Sequence, residues 1–205
     1  MVELVADGLA GARGGQTLFE GLSFTLRPGE AMEVVGPNGV GKTTLLRIAA
    51  GLLAPFEGRI GVENGLRLGD ISHFVSSLNG MKSTLTVAEN LRFWKRFQAG
   101  ATERIGEGAS VEEALEAVGL EATAPLPFGV LSTGQKRRVA LSRLLLEYRP
   151  LWILDEPVLG LDAAAEQSFS GLIARHMAHG GLALAAVHGS LGISGARTLR
   201  LGALS

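Results

Sequence analysis

A chain of 205 residues, 46% hydrophobic and 19% charged, is long enough for one compact α/β domain with a small inserted lobe. Its net charge of −1 lacks the basic surplus of a nucleic-acid scaffold, so no nucleic-acid partner is expected. It has no cysteine, which excludes disulfides, thiolate-ligated zinc and thiol catalysis. Taken in chain order, Val2 to Ala6 and Leu22 to Leu26 read as strands separated by the glycine-rich stretch Gly8 to Gly15. Ala31 to Val35 is a short strand running straight into Gly36. A helix is predicted from about Thr43 to Ala50, stopped by Gly51 at a C′ position, followed by a strand over Gly58 to Val62. Three capping-box patterns come next: Thr86 with Glu89, Ser110 with Glu113, and Ser132 with Gln135. They predict that residues 84–148 form an inserted helical lobe. The chain then returns to α/β, with strands at Leu151 to Leu154 and Leu182 to Val187 around a helix from about Asp162 to His179. Residues 1–83 and 149–205 are therefore expected to form one parallel-sheet core with an N-terminal antiparallel β part.

No apolar run approaches the roughly 18 residues that span a bilayer. Met1-Val2-Glu3 opens directly into an alternating run, so no targeting segment is expected, and membrane attachment has to come through a partner.

Gly36-Pro37-Asn38-Gly39-Val40-Gly41-Lys42-Thr43 matches the P-loop pattern in full, between a predicted strand and a predicted helix. The glycines let backbone N–H groups turn inward around phosphate oxygens, and the helix that follows aims its positive end at them. Lys42 is placed to neutralise the β- and γ-phosphates, and the Thr43 hydroxyl to ligate Mg²⁺, with Thr44 completing the nucleotide-binding set. Leu151-Trp152-Ile153-Leu154-Asp155-Glu156 reads as a buried strand ending in two acids. Asp155 is the candidate magnesium partner, and Glu156 the candidate general base for an attacking water. In Leu131-Ser132-Thr133-Gly134-Gln135, Ser132 caps a helix whose free N–H groups offer a second anion site. His188 follows an apolar strand, where a histidine is ordinarily a packed or capping residue. His73, His176 and His179 match no motif and are expected to be surface or structural.

The order of P-loop, Leu131 to Gln135, Asp155-Glu156, the turn ending in Asp162, and His188 resembles the ATP-binding-cassette family from end to end. The resemblance implies an ATPase that uses ATP and Mg²⁺ and works as a head-to-tail dimer. In that dimer the P-loop of one subunit would meet Leu131 to Gln135 of the other. Asp162 would lie in the loop crossing between the sites, and His188 would contact the γ-phosphate. Several segments are similar, more narrowly, to the ATP-binding subunits of the bacterial haem exporter used in cytochrome c maturation. The most specific are Lys82 to Phe93 and Pro150-Leu151-Trp152. That resemblance implies multi-spanning inner-membrane partners and a peripheral position on the cytoplasmic face. No Cys-x-x-Cys-His and no plausible axial histidine is present, so no direct haem binding is expected.

Three departures stand out. Arg13 occupies the place of the aromatic residue that stacks on adenine in the family, where a guanidinium plane can also stack and an ordinary solvated loop residue is the equal alternative. Leu78 stands where the family has a glutamine that touches Mg²⁺ and senses the membrane partner; Ser77 or Asn79 could compensate only if the loop shifts by one residue. His188-Gly189-Ser190-Leu191 differs from the expected His-Gln-x-Leu. Three alternatives to haem export stay open: an exporter of lipid, drug or ion, a slow ATP-sensing subunit, and a chromosome-organising ATPase. The last needs a long coiled coil, for which this chain has no room.

Overall fold

A computed structural model describes residues 2–62, 65–99 and 108–202. The first two strands, β1 (Leu4–Arg13) and β2 (Gln16–Leu26), form a hairpin, and β4 (Glu57–Val62) pairs with the other edge of β1 to give an antiparallel sheet of order β2-β1-β4. Most of the glycine-rich stretch, Gly8 to Arg13, therefore lies inside β1 rather than between the strands, which corrects the sequence expectation. Gly8, at φ +57°, falls within the first register shift of β1. Gly11 is required for a different reason, since a Cβ there would run into the ring of Phe19 on β2. Only Gly14 and Gly15 form the turn.

The second sheet is parallel throughout, in the order β5-β6-β7-β3-β8. Its members are β3 (Ala31–Val35), β5 (Ser72–Val75), β6 (Leu151–Asp155), β7 (Leu182–Ala186) and β8 (Arg197–Arg200). Every residue of β6 and β7 is buried. Alternation then divides them between two apolar layers. Leu151, Ile153, Leu182 and Leu184 join α1 (Lys42–Ala49) and the antiparallel sheet. Trp152, Leu154, Ala183 and Ala185 join the long helices on the other face.

Those helices are α3 (Val87–Gln98), α4 (Val111–Glu116), α5 (Thr133–Leu146) and α6 (Ala163–Ala178); a single turn, α2 (Leu68–Ile71), precedes β5. Helices α3 to α5 fall in sequence between β5 and β6, which are hydrogen-bonded neighbours with Ser72 opposite Leu151. They are inserted between two adjacent strands. Each begins with its capping box formed: Thr86 and Glu89, Ser110 and Glu113, and Ser132 and Gln135 exchange both hydrogen bonds. Among the described residues no helix is long and apolar enough to cross a membrane.

Candidate ATP site

The sheet order brings the C-terminal ends of β5, β6, β7 and β3 side by side, and in an open parallel sheet that edge is where ligands bind. From β3 the chain enters the P-loop. Gly36, at φ +154°, has no space for a side chain, because a Cβ there would meet the backbone carbonyl of Leu201 just beyond β8. Pro37, Asn38 and Gly39 are exposed, and Gly36 and Val40 are half-buried. Gly41 caps α1 with no side-chain hydrogen bond, so the first N–H groups of this helix have no side-chain cap. Lys42 is buried, and its ammonium donates to the carbonyls of Gly36 at 2.6 Å and Pro37 at 3.1 Å. The cation lies across its own loop, on acceptors that phosphate oxygens can replace. Thr44 is half-buried on the same helix.

Thr43 Oγ1 donates to Asp155 Oδ2 at 2.9 Å, which joins the start of α1 to the end of β6. Burial pushes the Asp155 carboxyl up, against the Thr43 hydrogen bond that pulls it down. These two oxygens, together with the phosphate cradle, fit a divalent cation. Among the described residues no cluster of three or more His, Asp or Glu could hold a metal unaided. A magnesium ion here would share its coordination with nucleotide phosphates.

Glu156 is the one non-glycine residue at positive φ (+49°) among those described. Such a conformation costs about 1–2 kcal/mol. Its N–H donates to the Ala186 carbonyl at 3.0 Å, extending the β6–β7 ladder by one residue. The turn swings the carboxylate towards β7, where Oε1 lies 2.8 Å from His188 Nε2. Both side chains are partly open to solvent.

The guanidinium of Arg137 holds this turn from behind. Buried on α5, it donates from Nε to the Pro157 carbonyl at 2.8 Å and from Nη2 to those of Asp155 and Glu156 at 3.2 and 2.8 Å. Nη1 reaches the Ser76 carbonyl beyond β5 at 2.8 Å. Sequence reasoning missed this residue because Lys136-Arg137-Arg138 reads as a solvated basic run. Helical spacing carried the signal, since Arg137 lies one turn before buried Leu141 and on the same face.

The structure brings together the P-loop, Asp155, Glu156 and His188, and leaves other predicted residues with local partners. Ser132 is exposed, and its hydroxyl accepts from Gln135 N–H at 3.2 Å. Thr133 is exposed, Leu131 is buried in the helical layer, and Gly134 faces the Gly160 carbonyl. No hydrogen bond among the described residues joins this segment to the P-loop. Asp162 caps α6 by accepting from Ala165 N–H at 2.8 Å. Arg13 is exposed at the end of β1, beside the hairpin turn.

Leu78 is 78% exposed beyond β5. Ser77 is exposed beside it, and the buried Asn79 Oδ1 has no protein partner. His73 and His176 are interior residues, whereas His179 is exposed. Burial pushes His73 down to about 3 and His176 down to about 4. His73 Nε2 meets the Glu147 carbonyl at 2.7 Å, and His176 stacks on Trp152 with centroids 4.0 Å apart.

A P-loop, an acid pair and a histidine on neighbouring strand ends, with a capped polar helix start on an inserted helical segment, define an ATP-binding-cassette ATPase domain. Comparison with known proteins agrees with that class. Residues 19–159 match the family described as ABC transporter. The chain is 51% identical to the cytochrome c biogenesis ATP-binding export protein CcmA of Mesorhizobium japonicum, covering 98% of each. It is 46% identical to that of Rhizobium meliloti, again over 98% of each. A solved ATP-binding subunit of an ABC transporter superposes with a TM-score of 0.81 at 26% identity, covering 97% of this chain and 85% of that one. The chain belongs to the ATP-binding-cassette transporter family, and within it to the cytochrome c biogenesis ATP-binding export proteins. It is an ATP-binding subunit whose ATPase activity is coupled to transport.

Proposed function

We propose that this chain is the motor subunit of a haem-exporting complex for cytochrome c biogenesis, bound at the cytoplasmic face of the bacterial inner membrane to multi-spanning partners. The kinship to the export proteins supports the cargo class. The paired contacts Thr43–Asp155 and Glu156–His188, on adjacent strand ends, support the chemistry.

On this reading, ATP phosphates displace the Gly36 and Pro37 carbonyls from Lys42, and the ammonium moves onto the β- and γ-phosphates. Thr43 and Asp155 would hold Mg²⁺, which when bound neutralises phosphate charge. Glu156 takes the proton of a water whose oxygen attacks the γ-phosphorus; the bond to the β–γ bridging oxygen breaks, and ADP and phosphate result. His188 hydrogen-bonds the γ-phosphate and orients that water from 2.8 Å beside Glu156. Arg13 lines the adenine side.

Leu131 to Gln135 complete the site of a second copy in a head-to-tail dimer, with Asp162 in the loop crossing between the two sites. Residues 84–148 move as the lobe that carries this segment, on the core of 1–83 and 149–205. Leu78, exposed in place of the usual glutamine, favours slow turnover. A Leu78→Gln variant should speed hydrolysis.

The deciding experiment is a haem-stained gel of membrane proteins from the native host carrying Lys42→Ala as its sole copy. Covalent haem bands should disappear while other haem proteins persist; unchanged bands would assign the motor to another cargo. The dimer has its own test, because Glu156→Gln protein with its membrane subunits should stay closed on ATP. A chain that remains monomeric at saturating nucleotide would exclude the composite site.

A further inference from the structure

β3 carries one acid among apolar residues. Met32 and Val34 face the layer built on α1, so Glu33 between them faces the other side of the sheet, where Leu191 also packs. Glu33 is 6% exposed and forms no salt bridge among the described residues. A buried carboxylate is costly unless its oxygens are hydrogen-bonded. Here Glu33 Oε1 accepts twice, from the Ser190 hydroxyl at 3.0 Å and the Leu191 N–H at 2.7 Å. Ser190 Oγ in turn accepts from Gly192 N–H at 3.1 Å.

These bonds fix the chain just after His188. Just before it, Val187 N–H donates to the Val34 carbonyl at 3.1 Å. The span His188-Gly189-Ser190 is thus tied at both ends to consecutive residues of β3, the strand that leads into the P-loop. One anchor is ordinary strand pairing, which any residue at 34 would supply. The other depends on the Glu33 side chain, and it uses Ser190 from the segment that departs from the family pattern.

We propose that Glu33 is a positioning residue for His188: by holding Ser190 and Leu191 it sets the imidazole against Glu156. The assignment rests on the reading of His188 as a partner of Glu156 in hydrolysis. An acceptor oxygen is what the tether requires, and glutamine retains one. Misplacing a catalytic group by about 1 Å costs on the order of 100-fold in rate.

The test measures ATP turnover, KM for ATP and thermal midpoint in the full chain assembled with its membrane subunits. Glu33→Leu should lower kcat about 10- to 100-fold with KM for ATP changed far less, because the P-loop that holds most of the phosphate contacts is left intact. Glu33→Gln should restore most of the rate. Ser190→Ala removes one of the two bonds at an exposed side chain, so it reads the same tether if Glu33→Leu fails to fold; a loss of about 3- to 10-fold is expected. In a His188→Ala background neither change should slow turnover further, since residues acting as a unit are non-additive. Wild-type turnover in Glu33→Leu or Ser190→Ala beside an impaired His188→Ala overturns the tether alone. So does a Glu33 loss that adds in full to that of His188→Ala. Wild-type turnover in His188→Ala overturns the parent reading, and the tether with it.

Discussion

Strands β6 and β7 lie in apolar surroundings on both faces, whereas the helices inserted between β5 and β6 add guanidinium contacts to the apolar layer they share with the sheet. Arg137 donates to four main-chain carbonyls. Arg143, further along α5, reaches the Phe74 and Asn79 carbonyls at 3.4 Å and lies 4.1 Å above the Trp94 ring. Arg149, just before β6, donates to Gly69, Ser72 and Gln98. None of the three forms a salt bridge among the described residues. Burial lowers all three guanidinium groups, Arg143 to about 10, and each stays protonated at neutral pH.

Apolar burial supplies strength with little directional preference. A planar guanidinium shared among carbonyls fixes orientation and leaves no carboxylate partner to desolvate. The core is therefore held by area, and the joint between helices and core by area together with the geometry of these guanidinium groups.

The largest break expected is in the apolar region: Leu151→Ala should cost about 2–5 kcal/mol of unfolding free energy by urea titration. Arg137→Met should cost less, about 1–3 kcal/mol for the buried carbonyls it strands. Its hydrolysis should nevertheless fall further than that of Leu151→Ala measured under conditions where both are folded, because Glu156 loses its backing. Equal losses of stability and rate in the two variants would erase the distinction.

Acid should weaken the two regions together. His73 and His176 titrate at about 3 and 4 in the fold, against an ordinary 6.5. The unfolded chain therefore binds more protons, and stability falls as pH drops from 6.5 towards those values. The slope should approach about 1.4 kcal/mol per pH unit for each histidine, and His73→Gln should reduce it in urea midpoints across pH 4–8. The smallest effect belongs to the exposed Arg59–Asp7 pair, whose removal should change stability by about 0–0.5 kcal/mol and less at high salt.

Features that depend on neighbours in sequence were legible before the structure. The three capping boxes, the P-loop and the strand ending in Asp155 and Glu156 all carry fixed local spacings. What stayed hidden depends on contacts across the chain. Gly8 to Gly15 reads as a break because nothing in its sequence announces that Phe19 will lie against Gly11. Glu33 disappears within the apolar pattern of β3 until Ser190 and Leu191 arrive from 157 and 158 residues away. Histidines without a motif reveal their surroundings only when packed: of the three expected to be surface or structural, His73 and His176 are interior and His179 is exposed. Arg13 and Leu78, two of the departures from the family pattern, are both exposed.

The chain has two tryptophans, and the regions compared above own one each. Trp152 is 3% exposed within β6 and stacked on a histidine that stays neutral well below physiological pH. Trp94 sits on α3 beneath the Arg143 guanidinium, and its indole N–H donates to the Gly80 carbonyl at 3.0 Å. The protein thus carries two tryptophan fluorophores, one embedded in the apolar layer and one where the inserted helices meet the sheet. A Trp152→Phe chain would emit from the joint alone, and a Trp94→Phe chain from the core. Nucleotide added to each would tell, without a label, which part of the molecule moves.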